Sequence, residues 1–249
     1  MIEARGLEKR FAQRVVLREI SASFAPGQAN LVIGKSGSGK TVLLKLLAGL
    51  LTPDAGEILF EGVPVSHMSK RERQSIQQKT GMLFQESALF DSLSVGQNVM
   101  FPLRLHTKMS IRQAMRRTLE CLERVNLRDI FHQLPGDLSG GMRKRVAIAR
   151  AIANQPKFLF CDEPNSGLDP QTGLVIDSLI HSITHDLGIT TIVNTHDMNS
   201  VLGIGDHVVF LSEGVLVWEG KGSDILAAKD QTLCDFVFAT PLAQRIRQT

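Results

Sequence analysis

The 249-residue sequence predicts an α/β fold with a largely parallel central sheet. Three observations carry that expectation. Short apolar runs rich in β-branched residues alternate with longer stretches of helical period. A glycine-rich segment, GKSGSGKT at residues 34–41, follows one of those runs and opens a helical one. Strand signals near the N-terminus are joined by turn residues rather than by helices, as in an antiparallel appendage.

In chain order, VLREISASFAPGQANLVIG reads as two strands around a Pro-Gly turn. GEILFEGVPV reads as a second short strand pair, grouped with the first as a β-subdomain beside the main sheet. Residues 30–33, 79–84, 158–161 and 190–194 are the candidate buried strands. From about residue 87 to residue 154 strand-like runs are scarce. Ile111, Met115, Leu119, Leu122 and Val125 recur there at helical spacing behind Ser110, a residue suited to an N-cap. This stretch is expected to be an inserted helical subdomain.

No repeat or Pro/Gly-rich linker divides the chain, so residues 1–249 are read as one domain. Its core, with the β-subdomain, would occupy about 1–86 and 155–224, the helical subdomain about 87–154, and a tail 225–249. In that tail LCDFVFATPLAQRIRQ has the pattern of a modest amphipathic helix or arm.

Composition excludes several classes. The chain is 43% hydrophobic and 21% charged, ordinary values for a globular protein. A net charge of +3 gives no electrostatic reason to expect a nucleic-acid partner. No apolar stretch is long enough to span a bilayer, and the charged start MIEARGLEKRF lacks the apolar core of a signal peptide, so a cytoplasmic location is expected. Cys121, Cys161 and Cys234 are odd in number and far apart, as expected of reduced structural thiols. His181 and His185 lie four apart on a predicted helix. The intervening SIT lacks the glutamate of a zinc-protease helix, and the pair is read as a solvated face.

The chemistry concentrates in three short segments. GKSGSGKT supplies Gly34, Lys35, Ser36, Gly37, Ser38, Gly39, Lys40, Thr41 and, entering the helix, Val42. Glycines at these positions let backbone N–H groups turn inward around phosphate oxygens, Lys40 can reach the terminal phosphates, and the Thr41 hydroxyl can ligate Mg²⁺. KFLFCDEP places Asp162 and Glu163 at the end of an apolar strand. An acid there can hold the Mg²⁺ and its neighbour can polarise water. LSGGM at 138–142 has the look of a second phosphate cradle, too distant to belong to the first loop.

With GKSGSGKT, LSGGM, FLFCDEP, SGLD and NTHD in that order, the chain resembles the nucleotide-binding subunits of ABC transporters along nearly its whole length. Neither the base-reading NKxD of a GTPase nor the HRD loop of a protein kinase is present. The resemblance implies an ATPase that uses ATP and Mg²⁺ and pairs with a second copy of itself. Each P-loop would face the other copy's Ser139, Gly140 and Gly141. Glu163 would be the general base, and His196 the switch histidine beside the γ-phosphate. Gln85 would sense Mg²⁺ and the attacking water, Asp169 would sit in the loop crossing between subunits, and Phe11 would stack on adenine.

Residues 84–104, FQESALFDSLSVGQNVMFPLR, are similar to the corresponding segment in ATPases of Mla-type phospholipid transport systems. That resemblance implies a membrane permease of the MlaE type and an MCE-domain protein as partners. Membrane contact would then be through the permease, at the cytoplasmic face of the inner membrane. Among the apolar residues of this segment, Leu89 and Phe90 are read as partner contacts and Phe101 as core.

Two further readings stay open, an importer ATPase for a small solute such as an amino acid or methionine, and a regulatory ABC subunit that moves no solute. The span between Lys40 and Leu138 is too short for the coiled coils of repair and chromosome proteins. Met142 stands where glutamine is commonest and Phe11 where tyrosine is common, but neither departure removes a phosphate, metal or base ligand.

Overall fold

The computed structural model describes residues 1–239 of the chain. Strands β1 (Ile2–Phe11), β2 (Arg14–Phe24) and β3 (Gln28–Ile33) precede helix α1 (Lys40–Leu47). Next come β4 (Ala55–Phe60), β5 (Val63–Pro64), α2 (Lys70–Gln78) and β6 (Thr80–Leu83). Helices α3 (Val95–His106), α4 (Ile111–Arg124) and α5 (Gly140–Ile152) follow, then β7 (Phe158–Asp162), α6 (Pro170–Leu187) and β8 (Thr190–Thr195). The described chain ends with α7 (Met198–Ile204), β9 (His207–Ser212), β10 (Val215–Gly220) and α8 (Gln231–Val237).

The main sheet has the order β10-β9-β3-β8-β7-β6. It is parallel from β9 to β6, with β10 added antiparallel at one edge. Side chains alternate across it. Leu31, Ile33, Leu159, Cys161 and Val193 face the core built with α3 to α8. Val32, Phe158, Phe160, Ile192 and Val209 face α1 and the smaller antiparallel sheet, β2-β1-β4-β5. Both faces are therefore dry, which is why these strands read as continuous apolar runs.

Several expectations change. β3 does not pair with β2 across the Pro-Gly turn. Instead it leaves the small sheet and becomes a central strand of the large one, between β8 and β9. The strand signal was right and the partner wrong, because residues either side of a turn can belong to different sheets. β1 and the β9–β10 hairpin are strands beyond those the sequence predicts; charged residues punctuate the first, and the second lies past the NTHD segment.

Helices α3, α4 and α5 do fill the predicted helical region, and Ser110 caps α4 by accepting a hydrogen bond from the Gln113 N–H. The α4 stripe is only half right. Leu122 and Val125 are buried, but Ile111 is 76% exposed and Met115 and Leu119 also face outward. Close packing on α3 and α5 uses the smaller Ala114, Thr118 and Cys121 instead. Phe101, expected in the core, is likewise exposed.

The cysteines are free and buried. Burial pushes the Cys121 thiol up to about 11, so it stays protonated and inert. Part of the predicted tail arm is α8, which packs through Leu233, Cys234 and Val237; the remainder of that prediction, 240–249, lies outside the described residues.

Candidate active site

Four adjacent parallel strands deliver the predicted residues to one edge of the main sheet. β3 runs into the glycine-rich loop, β8 ends at Thr195 beside His196, β7 ends at Asp162 and β6 ends just before Phe84 and Gln85. In the register, Ile33 lies opposite Thr195, Asp162 opposite Asn194 and Leu83 opposite Cys161. Ligands in open α/β sheets bind at such carboxyl ends.

The loop is shaped for an anion. Gly34 has φ +149°, and a Cβ there would stand 2.2 Å from the Leu211 carbonyl oxygen, so only glycine fits. Lys35, Ser36 and Gly37 form the exposed outer turn. Gly39 is the N-cap of α1 at φ +105°; it brings no capping side chain, and no acid lies in the first turn. The opening N–H groups of α1, around Lys40, Thr41 and Val42, are thus left to an outside acceptor. Ser38 Oγ is buried with no hydrogen-bond partner among the described residues. A phosphate oxygen would satisfy both kinds of donor. The Val42 side chain turns instead into the core.

Lys40 is itself buried. Its ammonium donates to the carbonyls of Gly34 at 2.8 Å and Lys35 at 3.2 Å, and Glu163 Oε1 lies 4.0 Å away. Burial holds it below the usual lysine range, while the Glu163 and Asp162 carboxylates oppose that shift.

Asp162 Oδ1 accepts from Thr41 Oγ1 at 3.2 Å and from Asn194 Nδ2 at 3.0 Å. A hydroxyl and a carboxylate held together beside a phosphate cradle are hard oxygen ligands of the kind Mg²⁺ takes. Glu163 has φ +48°, an unusual conformation for a side chain this long, fixed by its N–H bond to the Asn194 carbonyl at 3.0 Å. Its Oε2 lies 2.7 Å from His196 Nδ1. Gln85 Nε2 donates to Ser166 Oγ at 3.2 Å, which ties it to the loop that follows Glu163.

Lys40, Thr41, Asp162, Glu163 and His196 are therefore joined by direct contacts, with Gln85 one residue further out. Ser139, Gly140, Gly141, Asp169 and Phe11 have no hydrogen bond or ion pair to that group among the described residues. Ser139 caps α5 by accepting from the Met142 N–H at 3.2 Å, which uses an oxygen lone pair and leaves its proton free to be donated. Gly141 lies against α6, where a Cβ would come 2.6 Å from Thr172 Cγ2. Asp169 caps α6, accepting from the Thr172 N–H at 3.0 Å and its Oγ1 at 2.5 Å; those bonds hold its carboxyl below the usual range. Phe11 ends β1, is 46% exposed, and has Lys9 Nζ 5.5 Å from its ring centre.

Three supporting residues escaped sequence reading. Asn194 holds Asp162, Ser166 holds Gln85, and the buried Lys144 donates to the Gln85 carbonyl. Burial lowers Lys144 below the lysine range, and the nearby Glu163 and Asp162 carboxylates oppose that shift. A polar residue closing an otherwise buried strand, as in TTIVNT, was the available signal for Asn194.

A family model described as ABC transporter matches residues 17–166. The Haemophilus influenzae intermembrane phospholipid transport system ATP-binding protein MlaF is 38% identical over 95% of this chain and 90% of its own length. The methionine import ATP-binding protein MetN of Carboxydothermus hydrogenoformans is 42% identical over 83% of this chain but 61% of its own length. Among solved structures, a dimeric ATP-binding cassette in a post-hydrolysis state with ADP and Pi superposes with a TM-score of 0.79 at 30% identity, covering 89% of this chain and 98% of that one.

Proposed function

The chain belongs to the ABC transporter family and is an ATPase subunit, and from that premise we propose that it powers a phospholipid transport system from the cytoplasmic face of a membrane. The observation that carries this reading is the near end-to-end match to the MlaF relative, 95% of one chain against 90% of the other. The higher identity to the methionine importer is confined to the segment the two share.

In this reading two copies close around two ATP molecules, and each pairs its cradle, residues 34–41, with the other copy's Ser139, Gly140 and Gly141. The dimeric cassette to which the chain is similar supports that arrangement. It also accounts for a signature segment with no contact to the cradle in its own chain. Asp169 would lie in the crossing loop, and the exposed ring of Phe11 would stack on adenine. Lys40 would bind the terminal phosphates, for which its burial has already reduced competing solvation.

Thr41 and Asp162, with Gln85 nearby, would hold Mg²⁺, which when bound neutralises charge on the phosphate oxygens. Glu163 would take the proton from the attacking water, with His196 fixing its carboxylate. Loss of the terminal phosphate removes the bridge between copies, and the pair reopens.

The segment after Gln85 is suited to carry that change to a membrane partner. Asn98 is buried in α3 and clamps it, bonding to the backbone of Phe90, Leu93 and Ser94. Arg150 donates to the carbonyls of Ser87 and Ala88. Above this rigid frame Phe90 and Phe101 pack together with ring centres 4.9 Å apart and stay exposed. An MlaE-like permease and an MCE-domain protein are the partners proposed. Among the described residues no helix is long and apolar enough to cross a membrane, consistent with peripheral attachment.

Purification of the native complex in mild detergent tests the reading. Co-recovery of a permease, an MCE-domain protein and bound phospholipid is expected. Recovery with a solute-binding protein would overturn it.

A further inference from the structure

At the edge of the main sheet opposite the nucleotide cradle, three ligand atoms converge. His181 and His185 stand one turn apart on α6, with their Nε2 atoms 3.0 Å from each other. Asp206, in the turn between α7 and β9, presents Oδ2 at 3.2 Å from His185 Nε2 and Oδ1 at 3.7 Å from His181 Nε2. These atoms all lie within 4.8 Å of one another.

We propose that His181, His185 and Asp206 bind one divalent first-row transition cation, with zinc as the reference ion. The spacing is the first reason. Ligands about 2.0–2.1 Å from a tetrahedral zinc are separated by about 3.3–3.4 Å, and the two imidazole Nε2 atoms, 3.0 Å apart, and Asp206 Oδ2, 3.2 Å from His185 Nε2, lie close to that value. The ligand chemistry is the second. Two imidazoles and a carboxylate suit zinc, nickel, cobalt or copper, and are a poor set for Mg²⁺, which prefers oxygen.

The support around the ligands is the third reason. Asp206 Oδ2 also accepts the Ala29 N–H at 2.8 Å, so the carboxylate is already oriented by the start of β3. Both histidine side chains are partly exposed, and the cluster lines a cleft of about 480 Å³ with Gly27, Gln28, Lys221 and Ser223. An ion can enter from solvent, and a fourth position is open to water or another donor. The i, i+4 histidine spacing alone reads as a solvated face because the third ligand, Asp206, comes from a later turn of the chain. A cation here would clip the last turns of α6 to the loop that enters β9.

The test uses the full-length protein, stripped with chelator and kept free of nucleotide so that the phosphate cradle does not recruit metal. Titration with Co²⁺ should give one equivalent per chain, with the strong visible absorption of tetrahedral nitrogen and oxygen ligation. Zinc should displace it and raise the Tm. His181→Ala and His185→Ala, both on the partly exposed face of α6, should fold, turn over Mg-ATP normally, and lose the absorption and the zinc-dependent rise. Absence of the band, or a band and Tm response that persist in both variants, would overturn the proposal and leave a hydrogen-bonded cluster only.

Discussion

His196 grips one oxygen of Glu163, with Nδ1 2.7 Å from Oε2, while the other oxygen lies 4.0 Å from the Lys40 ammonium. The carboxylate is thus held between two cationic or potentially cationic groups and pinned at its backbone by φ +48°. Such a group is aimed before substrate arrives, and its basicity rather than its position is what substitution can remove. Glu163→Gln should keep ATP binding and lower turnover by about 10²–10⁴-fold, the range for loss of a general base. With ATP it should scatter as a stable dimer; undiminished phosphate release or a monomer in ATP would contradict the mechanism.

His196→Ala frees Glu163 without deleting it. Turnover should fall less than in Glu163→Gln, with the loss in kcat and little change in the concentration of ATP needed. A raised KM at unchanged kcat would instead make His196 a binding residue and detach it from Glu163.

Gly141 is a packing requirement as well as part of a phosphate motif. A methyl group there meets Thr172 Cγ2 at 2.6 Å, and Thr172 cannot rotate away without giving up its Oγ1 bond to Asp169. Gly141→Ala should cost about 1–3 kcal/mol of stability, typical of overpacking, seen as a lower urea midpoint. Thr172→Ser removes the offending methyl and keeps the hydroxyl. The double variant should recover most of the midpoint; equal loss in single and double variants would place the strain elsewhere.

The contrast between Lys40 and Asn194 explains how much of the site was legible. Lys40, Thr41, Asp162 and Glu163 sit in contiguous patterns whose chemistry dictates residue type, so they can be read from the chain. Asn194, Ser166 and Lys144 act through contacts to residues 32 to 81 positions away, and only the strand order brings those partners together. Fold followed the same division. The buried strands announced themselves by composition, whereas the partner of β3 depended on which sheet closed over Val32 and Leu31. Ile111, Met115 and Leu119 have the period of a buried stripe yet face outward, because periodicity identifies a helix face without saying what covers it.

Asp177 gives a prediction in pH. It is buried on α6, where Oδ2 accepts from Ser200 Oγ at 2.8 Å. Burial raises its carboxyl above the usual aspartate range; the Ser200 and Asn165 side chains oppose the shift and the Asp197 charge adds to it. The folded protein therefore keeps this proton at pH values where the unfolded chain has lost it. Its contribution to stability is complete below the unfolded value of about 3.9 and is lost as pH climbs through the higher folded value. Asp177→Asn keeps a carbonyl for Ser200 and cannot ionise. Whatever constant offset the new amide introduces, Tm of the variant minus that of the native chain should rise as pH goes from acidic to neutral. A difference that stays flat, or falls, across that range would mean that Asp177 is not carried into the fold at the expense of its charge.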